Sequence, residues 1–130
     1  MSQENVERLR AYWQTWGMGA EADLSLFDRD VVFEEAVLPD RDTYRGHEAL
    51  MRATRKWLAV YESFTFELEQ IVGSGDRLVT IHRFRGKGRH SGIEEEGRFA
   101  YLWTFRKASV IRFVSYRDPD EALEALGLSE

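Results

Sequence analysis

Glu94–Lys107, EEEGRFAYLWTFRK, is the stretch whose reading decides the fold. Successive side chains of a strand point to opposite faces. Phe99, Tyr101, Trp103 and Phe105 therefore share one face, and Arg98, Ala100, Leu102 and Thr104 share the other. A long strand with an aromatic ring at every second position is one wall of a core or a pocket. Downstream, past a tight turn, VIRFVSYR (110–117) is a further strand. Upstream, RLVTIHRFRGKGR (77–89) is a strand followed by a glycine-rich turn ending at Gly92. Before it, FTFELEQIVG (64–73) alternates Phe64, Phe66 and Leu68 against Thr65, Glu67 and Glu69, and GSGD (73–76) is the turn between them. Four strands in close succession pair antiparallel, as a meander.

The period changes on the N-terminal side. SQENVERLRAYWQTWG (2–17) places Val6, Leu9, Trp13 and Trp16 at helical spacing, with Tyr12 beside them, Ser2 as N-cap and Gly17 as stop. AEADLSLF (20–27) reads as a short second helix. HEALMRATRKWLAVY (47–61) is the clearest helix. Leu50, Thr54, Trp57, Leu58 and Tyr61 form its apolar face, and Arg52, Arg55 and Lys56 its outer face. The tail DPDEALEALG (118–127) has the marks of a capped helix: Asp118 as N-cap, Pro119 first in the helix, Glu121 for a capping box and Gly127 as stop. The predicted order is helix, helix, short strand, helix, meander, small helix. This is an α+β fold in which a curved, mostly antiparallel sheet wraps the N-terminal helices into a cone with an apolar pocket.

The short strand, about Val31 to Glu35, carries the chemistry. Its apolar run ends in Glu34 and Glu35, and alternation turns one of them inward. Pro39, Asp40 and Asp42 then mark a loop.

Composition narrows the function classes. The chain has 130 residues, enough for one domain, and a net charge of −5 that disfavours nucleic acid as a partner. It has no cysteine, which excludes disulfides, thiolate metal sites and thiol nucleophiles and fits a reducing cytoplasm. The N-terminus has no apolar signal core, and no apolar run reaches the roughly 20 residues of a membrane span. HEALM opens like a zinc motif, but Met51 stands where the second His is required, so no metal is expected. GKGRHSG links two strands and lacks the following helix of a phosphate loop. Arg83, Arg85, Lys87 and Arg89, set against Glu94, Glu95 and Glu96, read as cross-strand ion pairing. There is no GxSxG nucleophile motif.

With these pieces in place, the chain resembles the NTF2-like superfamily, in its SnoaL-like and ketosteroid-isomerase-like branch. ADLSLFDRDVVFEE, YRGHEALMRATRKWL, GDRLVTIHRFRGKGR, FAYLWTFRKASVIRF and YRDPDEALEALGL carry the likeness, as one domain over residues 1–130. The resemblance implies a homodimer, no cofactor, and a small apolar, oxygen-bearing molecule as ligand. It implies isomerase, cyclase, lyase or hydratase chemistry where members are catalytic, and it includes members that only bind or assemble. In the isomerase branch a carboxylate ending the first strand is the base, which falls at or next to Glu35. A Tyr of the first helix, here Tyr12, and a protonated Asp on the penultimate strand complete that site. Tyr101 stands at the Asp position, so steroid isomerisation is not implied.

Each candidate keeps two readings. Glu35 is a general base, since apolar surroundings penalise the charged carboxylate, or a strand-end carboxylate paired with a basic side chain. Tyr12 and Tyr101 are oxyanion donors or core residues. His82, alternating with Thr80 and Phe84, is an acid or base at the pocket or a structural imidazole. Trp13, Trp16, Phe33, Leu50, Trp57, Leu58, Phe99, Trp103 and Phe113 form the ligand-binding wall, or fill the cone themselves.

Overall fold

The structure, a computed structural model, describes residues 2–15, 24–35 and 42–127. Trp16, Gly17, Pro39 and Asp40 lie outside them. The elements are α1 (Ser2–Thr15), a 3-10 turn (Leu24–Leu26), β1 (Phe27–Glu35), β2 (Asp42–Arg45), α2 (Gly46–Val60), β3 (Tyr61–Ser74), β4 (Arg77–Gly88), β5 (Glu94–Arg106), β6 (Ser109–Tyr116) and α3 (Pro119–Leu126). The six strands form one mixed sheet in the order β2-β1-β6-β5-β4-β3. The meander β3 to β6 is antiparallel, as predicted. β1 joins its edge parallel to β6, and β2 folds back along β1.

Three boundaries differ from expectation. The second helix is not formed in its described part: Leu24–Leu26 is one 3-10 turn and Phe27 already opens β1. The Phe27 ring lies 5.4 Å from Phe113 and 6.4 Å from Trp103. That packing requires it beside β6, and tertiary contact overrides the local spacing. Asp42 starts a strand rather than continuing a loop, because Phe33 pairs with Tyr44 and their rings stack at 5.9 Å. Four residues with a single buried side chain are too few to show a period. Tyr61 is extended (φ −113°, ψ 135°) and opens β3 instead of closing the helix face.

The concave face of the sheet carries the core. Leu78 and Phe84 of β4, Phe99, Tyr101, Trp103 and Phe105 of β5, and Phe113 of β6 are buried there against Leu9 and Tyr12 of α1 and Ala49, Leu50 and Ala53 of α2. The helix face is thus narrower than predicted, with Thr54, Trp57 and Leu58 half-buried. The convex face has its own cluster, Val79, Ile81, Ala100 and Leu102, covered by Ala122, Leu123 and Leu126 of α3. The ends of α3 behave as read. The Asp118 carboxylate accepts from Asp120 N–H at 3.0 Å, and Gly127 closes the helix at φ 92°. Glu121 N–H donates to the Asp118 backbone carbonyl at 3.0 Å.

Candidate functional site

Alternation on β1 settles which glutamate faces in. Val31, Phe33 and Glu35 are buried, and Glu35 is 7% exposed. Glu34 points outward and pairs with Arg112 on β6. Glu34 is in register with Val114, which puts Glu35 level with Ser115; Ser115 is in register with Tyr101, and Tyr101 with Thr80. One row across the concave face therefore reads Glu35, Ser115, Tyr101, Thr80, and all four are buried. Tyr12 descends onto this row from α1, edge-on to Trp103 at 6.4 Å. Burial, above all, and then Tyr12 and Glu35 hold the Tyr101 hydroxyl far above the ordinary phenol range. Tyr101 thus keeps its proton and can serve as a donor. Three of the predicted site residues are brought together.

His82 sits one step along the same face, fully buried. Phe66 stacks on it at 4.8 Å and 7°, and Trp13 lies at 4.5 Å. Burial lowers its pKa to about 3, so the imidazole is neutral at physiological pH. Trp103 Nε1–H donates to Thr80 Oγ1 at 2.8 Å, and Thr80 Oγ1 is 2.8 Å from His82 Nε2. An indole N–H can only donate, whereas a hydroxyl carries one hydrogen and two lone pairs, so Thr80 links the indole and the imidazole in one hydrogen-bonded chain. Nδ1 has no hydrogen-bond partner among the described residues. Thr80 was missed by the sequence reading, although it shares the His82 face.

The predicted wall is present but crowded. Trp13, Phe33, Leu50, Trp57, Trp103 and Phe113, with Tyr12 and Tyr101, enclose a void of about 40 Å³. That is room for roughly one or two waters. Trp13 stacks on Tyr101 at 5.4 Å, Phe33 on Phe113 at 4.3 Å and Phe113 on Trp103 at 4.7 Å. The open apolar pocket expected inside the cone is replaced by these rings. Leu58 does not line the void, and Trp16 lies outside the described residues.

The larger space is at one end of the cone. A cleft of about 380 Å³ is lined by Trp57, Tyr61, Phe84, Glu95, Phe99 and Arg117, among others. Phe99 belongs here rather than to the interior, and Trp57 lines both spaces. The signal for the cleft was available in β5, whose inner face continues backward from Phe99 to Gly97 and Glu95. His47, from the imperfect zinc motif, donates Nε2–H to the Phe27 carbonyl at 2.9 Å and ties α2 to β1.

Comparison with known proteins gives the following. The SnoaL-like domain family matches residues 6–113. No curated protein matches the chain. An NTF2-like protein of unknown function from Burkholderia pseudomallei superposes with a TM-score of 0.79 at 19% identity, over 97% of this chain and 98% of its own. A candidate SnoaL-like polyketide cyclase from Jannaschia sp. CCS1 gives 0.78 at 16% identity, over 99% and 94%. A hypothetical protein with a ketosteroid isomerase-like fold from Catenulispora acidiphila, in complex with trimethylamine, gives 0.73 at 19% identity, over 98% and 95%. At these identities the likeness is one of fold.

Proposed function

The chain belongs to the SnoaL-like domain family, and from that premise we propose that it is a small-molecule pocket protein doing cofactor-free proton transfer beside a carbonyl. The observation that carries this reading is the inward Glu35 carboxylate, level with Tyr101 and beneath Tyr12. Glu35 takes a proton from the carbon next to the carbonyl. The electron pair moves to the carbonyl oxygen, which accepts hydrogen bonds from Tyr101 and Tyr12. Return of the proton to the same or a conjugated carbon completes exchange or isomerisation. Trp57 lines both the cleft and the void, so turning of its ring widens the way between them.

The test is proton–deuterium exchange at the α-carbons of small unsaturated ketones in D₂O, followed by NMR. A general base contributes roughly 10²–10⁴-fold. Glu35→Gln is expected to lower exchange by at least about a hundredfold while the fold persists. Equal exchange by both proteins sinks the proposal. Because a neighbour of this fold holds trimethylamine, small amines belong in the accompanying binding screen.

One observation favours a second reading. The interior void of about 40 Å³ is far below the roughly 300 Å³ at which ligand pockets begin. In that reading the aromatics fill the cone, the chain binds or assembles without turnover, and neither protein shows exchange above buffer.

A further inference from the structure

We infer that the cleft at the end of the cone is a binding site for a small alkylated ammonium ion, held against an aromatic wall beside Glu95. This site shares Trp57 with the interior void but contains no residue of the Glu35 row.

The wall is built from four elements. Trp57 comes from the last turn of α2, Tyr61 from the start of β3 and Phe84 from β4. Phe84 stands at 82° to Trp57 with centroids 5.2 Å apart, and at 65° to Tyr61 at 5.0 Å. Phe99 adds a fourth ring, 6.1 Å from Phe84 at 62°. Rings at these distances touch edge to face, so together they make one continuous aromatic wall along a cleft of about 380 Å³. Aromatic faces with an anion at the rim are the chemistry that recognises alkylammonium groups.

The anion is fixed in place. Tyr61 Oη–H donates to Glu95 Oε1 at 3.2 Å, so one carboxylate oxygen is tied to the aromatic wall. Glu96, also at the rim, is shared by Arg83 and Arg85, and Arg98 pairs with Glu69. Arg117 lines the cleft from the end of β6 and opposes Glu95 in sign. Its influence at the Tyr61 hydroxyl is the weaker. Burial first, and then Glu95, push the Tyr61 pKa up to about 12 despite Arg117. Gly97 supplies the room: a Cβ placed on it meets nothing within 4 Å.

The test uses choline and its neutral isostere 3,3-dimethylbutan-1-ol, titrated into the full chain by NMR. Choline is expected to bind saturably, shifting the Trp57 indole and Gly97 amide signals, at least about fivefold tighter than the isostere. Glu95→Gln should weaken choline roughly five- to thirtyfold and leave the isostere unchanged. Gly97→Val, which the open space accommodates, should abolish binding of both. Glu35→Gln should leave choline affinity untouched, which separates this site from the proton-transfer chemistry. Equal binding of choline and isostere, no binding of either, or indifference of choline to Glu95→Gln each overturns the proposal.

Discussion

At the scale of single residues, the buried imidazole of His82 makes the most demanding statement. Its pKa is lowered by burial to about 3, against about 6.5 in an unfolded chain. A group whose folded pKa is depressed contributes stability above its unfolded pKa and loses it as pH falls towards the folded one. Between pH 6.5 and 3, stability is therefore expected to decline by up to about 1.4 kcal/mol per pH unit from this group. Urea unfolding at several pH values checks it: a His82→Gln variant should be less stable at pH 7 but show a shallower acid slope. Identical slopes would remove His82 as the cause. Thr80 is the second such residue, since its hydroxyl accepts from Trp103 and is hydrogen-bonded to His82 Nε2. Thr80→Val keeps the shape and strands both partners, at an expected cost of roughly 2–4 kcal/mol. An unchanged unfolding midpoint would show that this hydrogen-bonded chain does not hold the core. Two-residue alternation, by contrast, made one inward carboxylate legible at Glu34 or Glu35, and the register of β1 picks Glu35. What the sequence lacked was its neighbour Ser115, because rows across a sheet depend on register, and register is set by pairing far along the chain.

Elements were read best where one period governs many residues. The meander and α3 are of this kind: β5 declares itself by four alternating aromatics, and α3 by Asp118, Pro119 and Gly127. The described end of the second helix and β2 differed for the opposite reason, being short and decided by what they pack against. Phe27 is in a strand because Phe113 and Trp103 are there to receive it. Within the strands, the glycines of the cleft play distinct parts. A Cβ on Gly86 would lie 2.5 Å from Phe84 Cζ and 3.1 Å from Tyr61 Cδ1, so the two rings lie directly across the bare backbone. Gly86→Ala is expected to cost about 1–3 kcal/mol by overpacking and to shift the Phe84 and Tyr61 ring signals. Full stability with unmoved rings would show that the strand yields more easily than its packing implies. Gly97 faces open space on the same end of the sheet, so a side chain there tests the cleft without that cost.

At the scale of the whole molecule, the sheet has two faces with different tasks. The convex face carries α3 over one part and an ion ladder over another, where Glu69 meets Arg83 and Arg98 and Glu96 meets Arg83 and Arg85. These side chains are largely exposed, and such pairs contribute little stability each. The concave face carries the volume, and Trp57 divides it. This ring lines both the cleft of about 380 Å³ and the void of about 40 Å³ beside Tyr101. Truncating it should join the two spaces at an expected cost of roughly 2–4 kcal/mol, somewhat below that of a fully enclosed Trp because its side chain is only half-buried. The joined space would be apolar and large enough for a six-membered ring. Trp57→Ala is therefore expected to bind indole or benzene saturably, with contacts to Tyr12, Leu50 and Tyr101 in NMR. The intact chain should show those contacts only through rare turning of the Trp57 ring. If the variant binds no probe yet stays folded, the rings of the interior have collapsed into the gap, and the cone is a solid core with a cleft at its end. If it binds and the Glu35 row comes within reach, Trp57 is the barrier any substrate must pass, and proton exchange in the variant should accelerate wherever access rather than chemistry limits the rate.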